Sequence, residues 1–290
     1  MNRRTLRGMR RLLCLPVLLL AACGPETARV ESPAAGGQPP SASSQAPATS
    51  SQPPATSGQQ PAATSQAPAA PAEPIDERFA TTRDGWRVDY HLRLPALPAE
   101  TTKRLRRACT AWLFQGLAEV RPTLAASGEA ALATLIADGG KPTGGDPWYS
   151  ERAVVATLQG GGWLALRRSD RSFAGAANTT ARVESLVIEL DGVRALTLDE
   201  VVPPDRQAAL RLQLAREFRR VRGLPADGPL TSAVASDAEL PIPVPLLAAE
   251  GARFVWNPYE IGPLSDGAYE VSLTAEQVRA ALAVDPWAKP

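Results

Sequence analysis

The sequence predicts an α+β domain on an antiparallel sheet, confined to residues 75–290. Three observations predict it. Every Trp, Tyr and Phe lies between Phe79 and Trp287. Segments of period two outnumber segments of helical period. No regular strand–helix–strand alternation appears, so the sheet is not a doubly wound parallel one.

The elements follow in order. In residues 86–94, Trp86, Val88, Tyr90, Leu92 and Leu94 face one side, and Arg87, Asp89, His91 and Arg93 the other. This is a half-buried strand with the only His on its polar face. Pro95 and Pro98 stop it. Residues 100–120 read as a helix, with Leu105, Cys109, Trp112, Leu113, Gly116, Leu117 and Val120 as one stripe and Pro122 at its end. A shorter helix follows at 129–137, closed by Gly139 and Gly140. After a Gly- and Pro-rich loop (141–150), residues 153–158, 163–167 and 182–190 read as strands. Gly160, Gly161 and Gly162 join the first two as a hairpin, and Asp191-Gly192 turns into a strand at 194–198. Pro203-Pro204-Asp205 opens a second long helix to residue 222, with Leu210, Leu214, Phe218 and Val221 as its buried line. Residues 241–245, with three prolines, are an extended connector. Residues 252–256 and 268–273 pair around a long turn, and Thr274-Ala-Glu-Gln277 is a capping box for a short last helix through Leu282.

The chain before residue 75 is of another kind. Five Arg and no acid precede a short apolar run, far below the roughly 20 residues that span a bilayer. Residues 1–22 therefore read as a secretory signal peptide. They end at Leu20-Ala-Ala-Cys23, which resembles a bacterial lipobox. That resemblance implies cleavage before Cys23, a diacylglycerol on its sulfur and an acyl chain on its new amino group. Position 24 is Gly, not Asp, which directs such proteins to the outer membrane, facing the periplasm, in a host with two membranes. Residues 24–74 are mostly Pro, Ala, Ser, Thr, Gln and Gly, uncharged between Ser32 and Ala72, with a loose Ser-Gln-x-Pro-Ala repeat, and are expected to be a disordered tether with little apolar surface to bury.

Composition excludes several function classes. Of 290 residues, 31 are Lys or Arg and 30 Asp or Glu, for a formal charge of +1. Without residues 1–22 the balance is 26 basic to 30 acidic. Neither balance suits nucleic-acid binding. One His cannot build a His-rich zinc site, and three Cys cannot build a disulfide scaffold. No metal, cofactor or nucleic acid is expected. A Ser-His-Asp triad would need His91, but no Gly-x-Ser-x-Gly elbow exists. Gly160–Gly162 lead to a strand, so they are no phosphate cradle. Cys109 falls on an apolar stripe and reads as a buried thiol. Arg211, Arg216, Arg219, Arg220 and Arg222 complement the dipole of the second long helix, with an anionic polymer as the alternative use.

The last sixty residues carry a resemblance. Phe254, Trp256, Pro258-Tyr-Glu-Ile-Gly-Pro263, Gly267 and Glu270-Val271 resemble the signature of the extracellular domain of the anti-sigma factor RsiV. The same domain precedes the catalytic part of the peptidoglycan deacetylase PdaC. Leu196-Thr-Leu-Asp-Glu-Val-Val202 resembles the family's step before its long helix. Where the family often has Gly-Ala-His, this chain has Ala174-Gly-Ala-Ala-Asn178, so a role of that His is not carried over. The resemblance implies an RsiV-like fold with two long helices and a short C-terminal one. It also implies a binding domain whose partner is lysozyme.

Trp256, Asn257, Tyr259, Glu260, Asp266 and Tyr269 are the candidate binding residues. Tyr259 and Glu260 lie between two strands, where their polar ends would be presented together to a protein or a glycan. The architectural alternative has Tyr259 packing its ring and Glu260 pairing with an Arg or holding backbone amides. Asp199 with Glu200, or Glu260 with Asp266, are acid pairs that a carboxylate-only glycan hydrolase would use. The reading favoured is a non-catalytic domain with no catalytic residue, anchored to the membrane through lipid on Cys23. It would bind lysozyme or a similar wall-directed protein, with peptidoglycan as the alternative partner.

Overall fold

The computed structural model describes residues 73–140, 142, 147–175 and 179–288. Residues 1–22, the lipidation candidate Cys23 and the tether up to residue 72 lie outside the described residues, as do 176–178.

The first hairpin joins β1 (Ile75–Arg83) to β2 (Trp86–Leu94) through Asp84 and Gly85. Both turn residues have positive φ, 53° and 82°, as the two-residue turns that suit twisted strands require. β2 alternates buried and exposed along its whole length, as predicted. β1 is a strand that the apolar pattern did not announce, because only Ile75 and Phe79 among its residues are large and apolar.

α1 (Ala99–Leu113) ends well before residue 120. Gly116, with φ 74°, turns the chain away, and Val120 is 38% exposed, so neither belongs to the buried stripe. The cause lies in the sheet. Arg168 and Arg152 donate to the carbonyls of Trp112, Leu113 and Gln115, which terminates the helix in place of further turns. α2 (Leu124–Gly139) starts earlier than predicted, because the Thr123 hydroxyl caps the amide of Ala126 at 3.1 Å. Gly128 sits inside it, where a Cβ would lie 2.2 Å from the Phe79 ring.

β3 (Trp148–Gly160) pairs with β2 in parallel. α1 and α2 thus form a crossover between parallel strands, a connection absent from the sequence-based expectation. The rest of the sheet is antiparallel: β4 (Trp163–Phe173), β5 (Thr180–Glu189) and the two-residue β6 (Arg194–Ala195), in the order β1-β2-β3-β4-β5-β6. The chain from 198 is not strand: α3 (Leu198–Val201) begins there with a capping box between Thr197 and Glu200. α4 (Pro204–Arg222) runs as predicted and is closed by Gly223 at φ 64°. Val221 is 53% exposed, however, and Ala215 and the stem of Arg219 share the buried face with Leu210, Leu214 and Phe218. The second sheet is β7 (Leu246–Ala248), β8 (Gly251–Trp256) and β9 (Tyr269–Thr274), all antiparallel. α5 (Ala275–Arg279) follows with the predicted capping box of Thr274 and Gln277.

β4 and β5 separate two cores. Leu164, Leu166 and Ile188 face the core under α1 and α2, with Val88, Tyr90, Leu92 and Leu105. Trp163, Ala165 and Val187 face the core that joins α4 to the second sheet, with Phe218, Phe254 and Trp256. The chain is therefore α+β with a mostly antiparallel sheet. It has a third long helix, α2, where a shorter one was predicted. Among the described residues no helix is long and apolar enough to cross a membrane.

Candidate functional site

The turn from β8 to β9 holds the six candidate binding residues, and the structure gives them different tasks. Trp256 is buried; its indole N–H donates to the Pro241 carbonyl at 2.8 Å, and its ring meets Phe218 edge-on. Asn257 is only 6% exposed. Its Oδ1 accepts the Val183 amide at 2.8 Å, and its Nδ2 donates to the Val183 carbonyl at 2.9 Å. β6 is too short to cover this stretch of β5, so one side chain occupies the edge that another strand would fill. Asn257 thereby docks the turn onto the large sheet.

Glu260 closes the turn from inside. Its carboxylate accepts the Asn257 amide at 2.9 Å and Asn257 Nδ2 at 3.2 Å, and its own N–H donates to the Asn257 carbonyl at 3.0 Å. The Tyr259 N–H donates to the Gly262 carbonyl at 3.0 Å. Ile261 is buried and anchors the turn in the second core. Gly262 has no room for a side chain: a Cβ would lie 2.6 Å from the Tyr269 hydroxyl. Tyr269 is buried against Phe218, lies under the Arg222 guanidinium, and donates its hydroxyl to Asp266 at 2.5 Å. Burial and the Asp266 carboxylate push its phenol pKa up.

Tyr259 is the exception. It has φ 73°, a left-handed backbone that side-chain-bearing residues rarely adopt, and it is 70% exposed. Its ring does not pack on the domain, and Glu260 turns inward rather than standing beside it. Trp256, Asn257 and Tyr269 are interior, and Glu260 and Asp266 are engaged within the turn. The six residues form one built structure that displays a single aromatic side chain.

A feature with no apolar signal lies beside the turn. Arg168, with a side chain only 7% exposed, pairs with Asp170 at 3.2 Å and Glu184 at 2.9 Å, and its guanidinium lies over the Trp112 ring. Arg152 stands 3.7 Å from Asp170. Arg182 pairs with Glu184 at 2.8 Å and stands 3.8 Å from Glu260. Alternating charges thus run across β3, β4 and β5 from the C-terminal carbonyls of α1 to the turn. Burial outweighs the two guanidinium groups at Asp170 and raises its carboxyl pKa; among the described residues its Oδ1 has no hydrogen-bond partner. Burial likewise lowers the pKa of Arg152. The sequence does hold a signal for this row: Arg168 with Asp170, and Arg182 with Glu184, are charged residues two apart, hence on one strand face.

The other candidates lie elsewhere. Glu200 caps α3 through the Thr197 amide and pairs with Arg194, both of which lower its pKa. His91 meets Asp76 at 2.6 Å on the open face of the large sheet. Cys109 is a free buried thiol whose pKa burial pushes up to about 12. Arg211, Arg219 and Arg220 bond to the Leu240 carbonyl, to Gly228 and Asp237, and to Glu217. Among the described residues no group of three or more His, Cys, Asp or Glu could hold a metal ion.

No family model and no curated protein matches the chain. Solved structures do. The chain is similar to a member of the DUF3298 family from Bacteroides fragilis, with a TM-score of 0.57 and 16% identity over 76% of this chain and 96% of that one. It also matches a DUF3298 family protein from Pseudomonas aeruginosa, with a TM-score of 0.49 and 14% identity over 75% of this chain and 96% of that one. The first likeness shows the fold, an α+β arrangement shared with that protein.

Proposed function

We propose that this chain is an envelope lipoprotein, anchored through acylated Cys23, whose domain binds a partner through the Tyr259 turn and catalyses nothing. One observation carries the reading. A large aromatic side chain stands in solvent on a left-handed backbone, while Asn257, Glu260, Asp266 and Tyr269 around it are bonded within the turn or to the sheet. Strained non-glycine residues persist where their surroundings over-determine them, and such places concentrate at binding and switch sites. A rigid aromatic is an effective anchor, because little side-chain freedom is lost on docking.

The partner follows from the resemblance to the RsiV-type domain: lysozyme, or a similar protein that acts on the cell wall. Peptidoglycan is the second reading, favoured by the same exposed ring, whose flat face suits a sugar. Retention of the chain, expressed from residue 23 with Cys23→Ser, on immobilised lysozyme and on insoluble peptidoglycan separates the two. The expected result is retention on lysozyme that Tyr259→Ala abolishes without loss of folding. Retention on neither, or retention indifferent to Tyr259, overturns the proposal. Full-length chain that leaves the membrane fraction when Cys23 becomes Ala supports the anchor.

A further inference from the structure

The outer strand of the large sheet supports an inference independent of the Tyr259 turn. β1 is an edge strand of nine residues that pairs with β2 without a bulge and contains no proline. Natural edges are blunted by bulges, prolines or charged side chains, since an open edge is a template for another strand; β1 has only the last, in Asp76, Glu77, Arg78 and Arg83, which deter strands that do not match those charges. Among the described residues no backbone or side-chain group from outside the hairpin hydrogen-bonds the backbone of residues 75–83.

The turn determines which backbone groups are open. Arg83 and Trp86 close a two-residue hairpin and so form a pair that exchanges both ladder bonds. The odd-numbered residues of β1 therefore bond to β2. Asp76, Arg78, Ala80 and Thr82 direct their N–H and C=O groups outward.

A second copy of the same edge can meet this one antiparallel about a two-fold axis, and the side chains choose where the axis lies. An axis at Arg78 sets two Arg opposite each other, which is unfavourable. An axis at Phe79 sets Glu77 opposite Thr81 and Asp76 opposite Thr82, pairing no opposite charges. An axis at Ala80 sets Glu77 opposite Arg83 at both ends and Arg78 opposite Thr82. In that register the outward groups of Arg78, Ala80 and Thr82 fall in hydrogen-bonded pairs, and Glu77 and Arg83 in the closer, non-hydrogen-bonded ones. Each of those two side chains keeps exposed surface beside its own partner, Arg106 or Glu129.

We propose that two copies of this chain pair through β1 about Ala80, joining their six-stranded sheets into one continuous sheet. The pairing is isologous, as a two-fold contact must be. Nothing in a foreign strand would require opposite charges spaced as Glu77 and Arg83 are; a second copy supplies them by symmetry.

The test uses the full-length chain in detergent, with sedimentation velocity and disulfide trapping as readouts. The native chain should sediment as a dimer. Ala80→Pro removes an outward N–H and leaves the β1–β2 ladder intact, so it should give a monomer with an unchanged melting temperature. Glu77→Arg should weaken association at least tenfold, and adding Arg83→Glu to it should restore the dimer. Ala80→Cys should form a disulfide between copies on oxidation. Three results would overturn the proposal: a monomer up to about 100 µM, a dimer that survives Ala80→Pro, or a dimer that the charge reversal leaves unchanged.

Discussion

Replacing Tyr259 by alanine and by glycine should reverse the usual order of those two residues. In ordinary backbone, glycine is the less stable by roughly 0.5–1 kcal/mol, because it frees the unfolded chain. Tyr259 sits at φ 73°, where the Cβ of an L-residue costs about 1–2 kcal/mol. The ring is 70% exposed, so its removal forfeits little burial in either variant. Subtracting the unfolded-state term from the relieved strain leaves Tyr259→Gly ahead of Tyr259→Ala by about 1 kcal/mol. For a domain of this size that is a melting-temperature gap of about 2–4 °C. Urea unfolding followed by Trp fluorescence, with melts on the same samples, reads both quantities. An alanine variant as stable as the glycine variant, or more so, would refute the claim that the turn holds Tyr259 in strain. If both variants also lose the binding partner equally, the ring and not the strain is what the partner reads.

Two further outcomes follow from the same region. Asn257→Ala should destabilise the domain by about 2–4 kcal/mol, since the Val183 amide and carbonyl both lose a buried partner; equilibrium unfolding checks this, and a loss under about 0.5 kcal/mol would mean that water serves the β5 edge equally well. Asp170 and Asp89 should respond to pH with opposite signs. Burial raises the Asp170 pKa above its unfolded value of 3.8, so the folded chain holds that proton more tightly and Asp170 weighs against folding as pH rises through the folded pKa. The unfolding free energy of wild type minus that of Asp170→Asn should therefore grow on acidification from about pH 7 to 4. The Arg78 pair instead lowers the pKa of Asp89, so its contribution should hold above 3.8 and fade below that as pH drops through the folded value. Denaturant titrations of Asp170→Asn across that range, and of Asp89→Asn continued below pH 3.8, test both; a difference for Asp170→Asn that shrinks on acidification contradicts the assignment.

The elements legible in the sequence are those whose own residues decide them. β2 alternates apolar and polar without exception, α4 has Pro at its start and Gly at its end, and α5 has its capping box. The elements misjudged are those decided from a distance. The end of α1 is set by Arg152 and Arg168, which lie 37 to 56 residues from the carbonyls they bind. β3 and β4 extend past their apolar runs through Arg152 and Asp170, whose largely buried charges a hydrophobic pattern counts as solvent-facing. The same holds at the turn. The Pro-Tyr-Glu motif is plain in the sequence, yet which side chain it displays depends on the Asn257–Val183 pairing, across 74 residues, and on a left-handed Tyr259 that no local pattern demands.

The charge row gives the turn a support that an apolar face could not. Apolar packing is non-directional and tolerates small slips, whereas a guanidinium fork bonded to fixed carbonyls and carboxylates does not. Arg168 bonds α1 through Trp112 and Gln115 and β5 through Glu184; Arg182 bonds Glu184 and stands against Glu260. The helix end, three strands and the turn are therefore held in one register by groups of alternating sign. Such rows are weak evidence for net stability, because the desolvation of each charge offsets much of its attraction, and Asp170 Oδ1, buried with no hydrogen-bond partner among the described residues, adds a cost that nothing repays. What the row supplies is position. Glu260 ends it with its two oxygens on the backbone and side-chain amides of Asn257, which fixes the backbone that sets Tyr259 in solvent. The exposed ring is thus tied by charge-assisted contacts, through β5 and β4, to the end of α1 on the opposite side of the sheet from the second core.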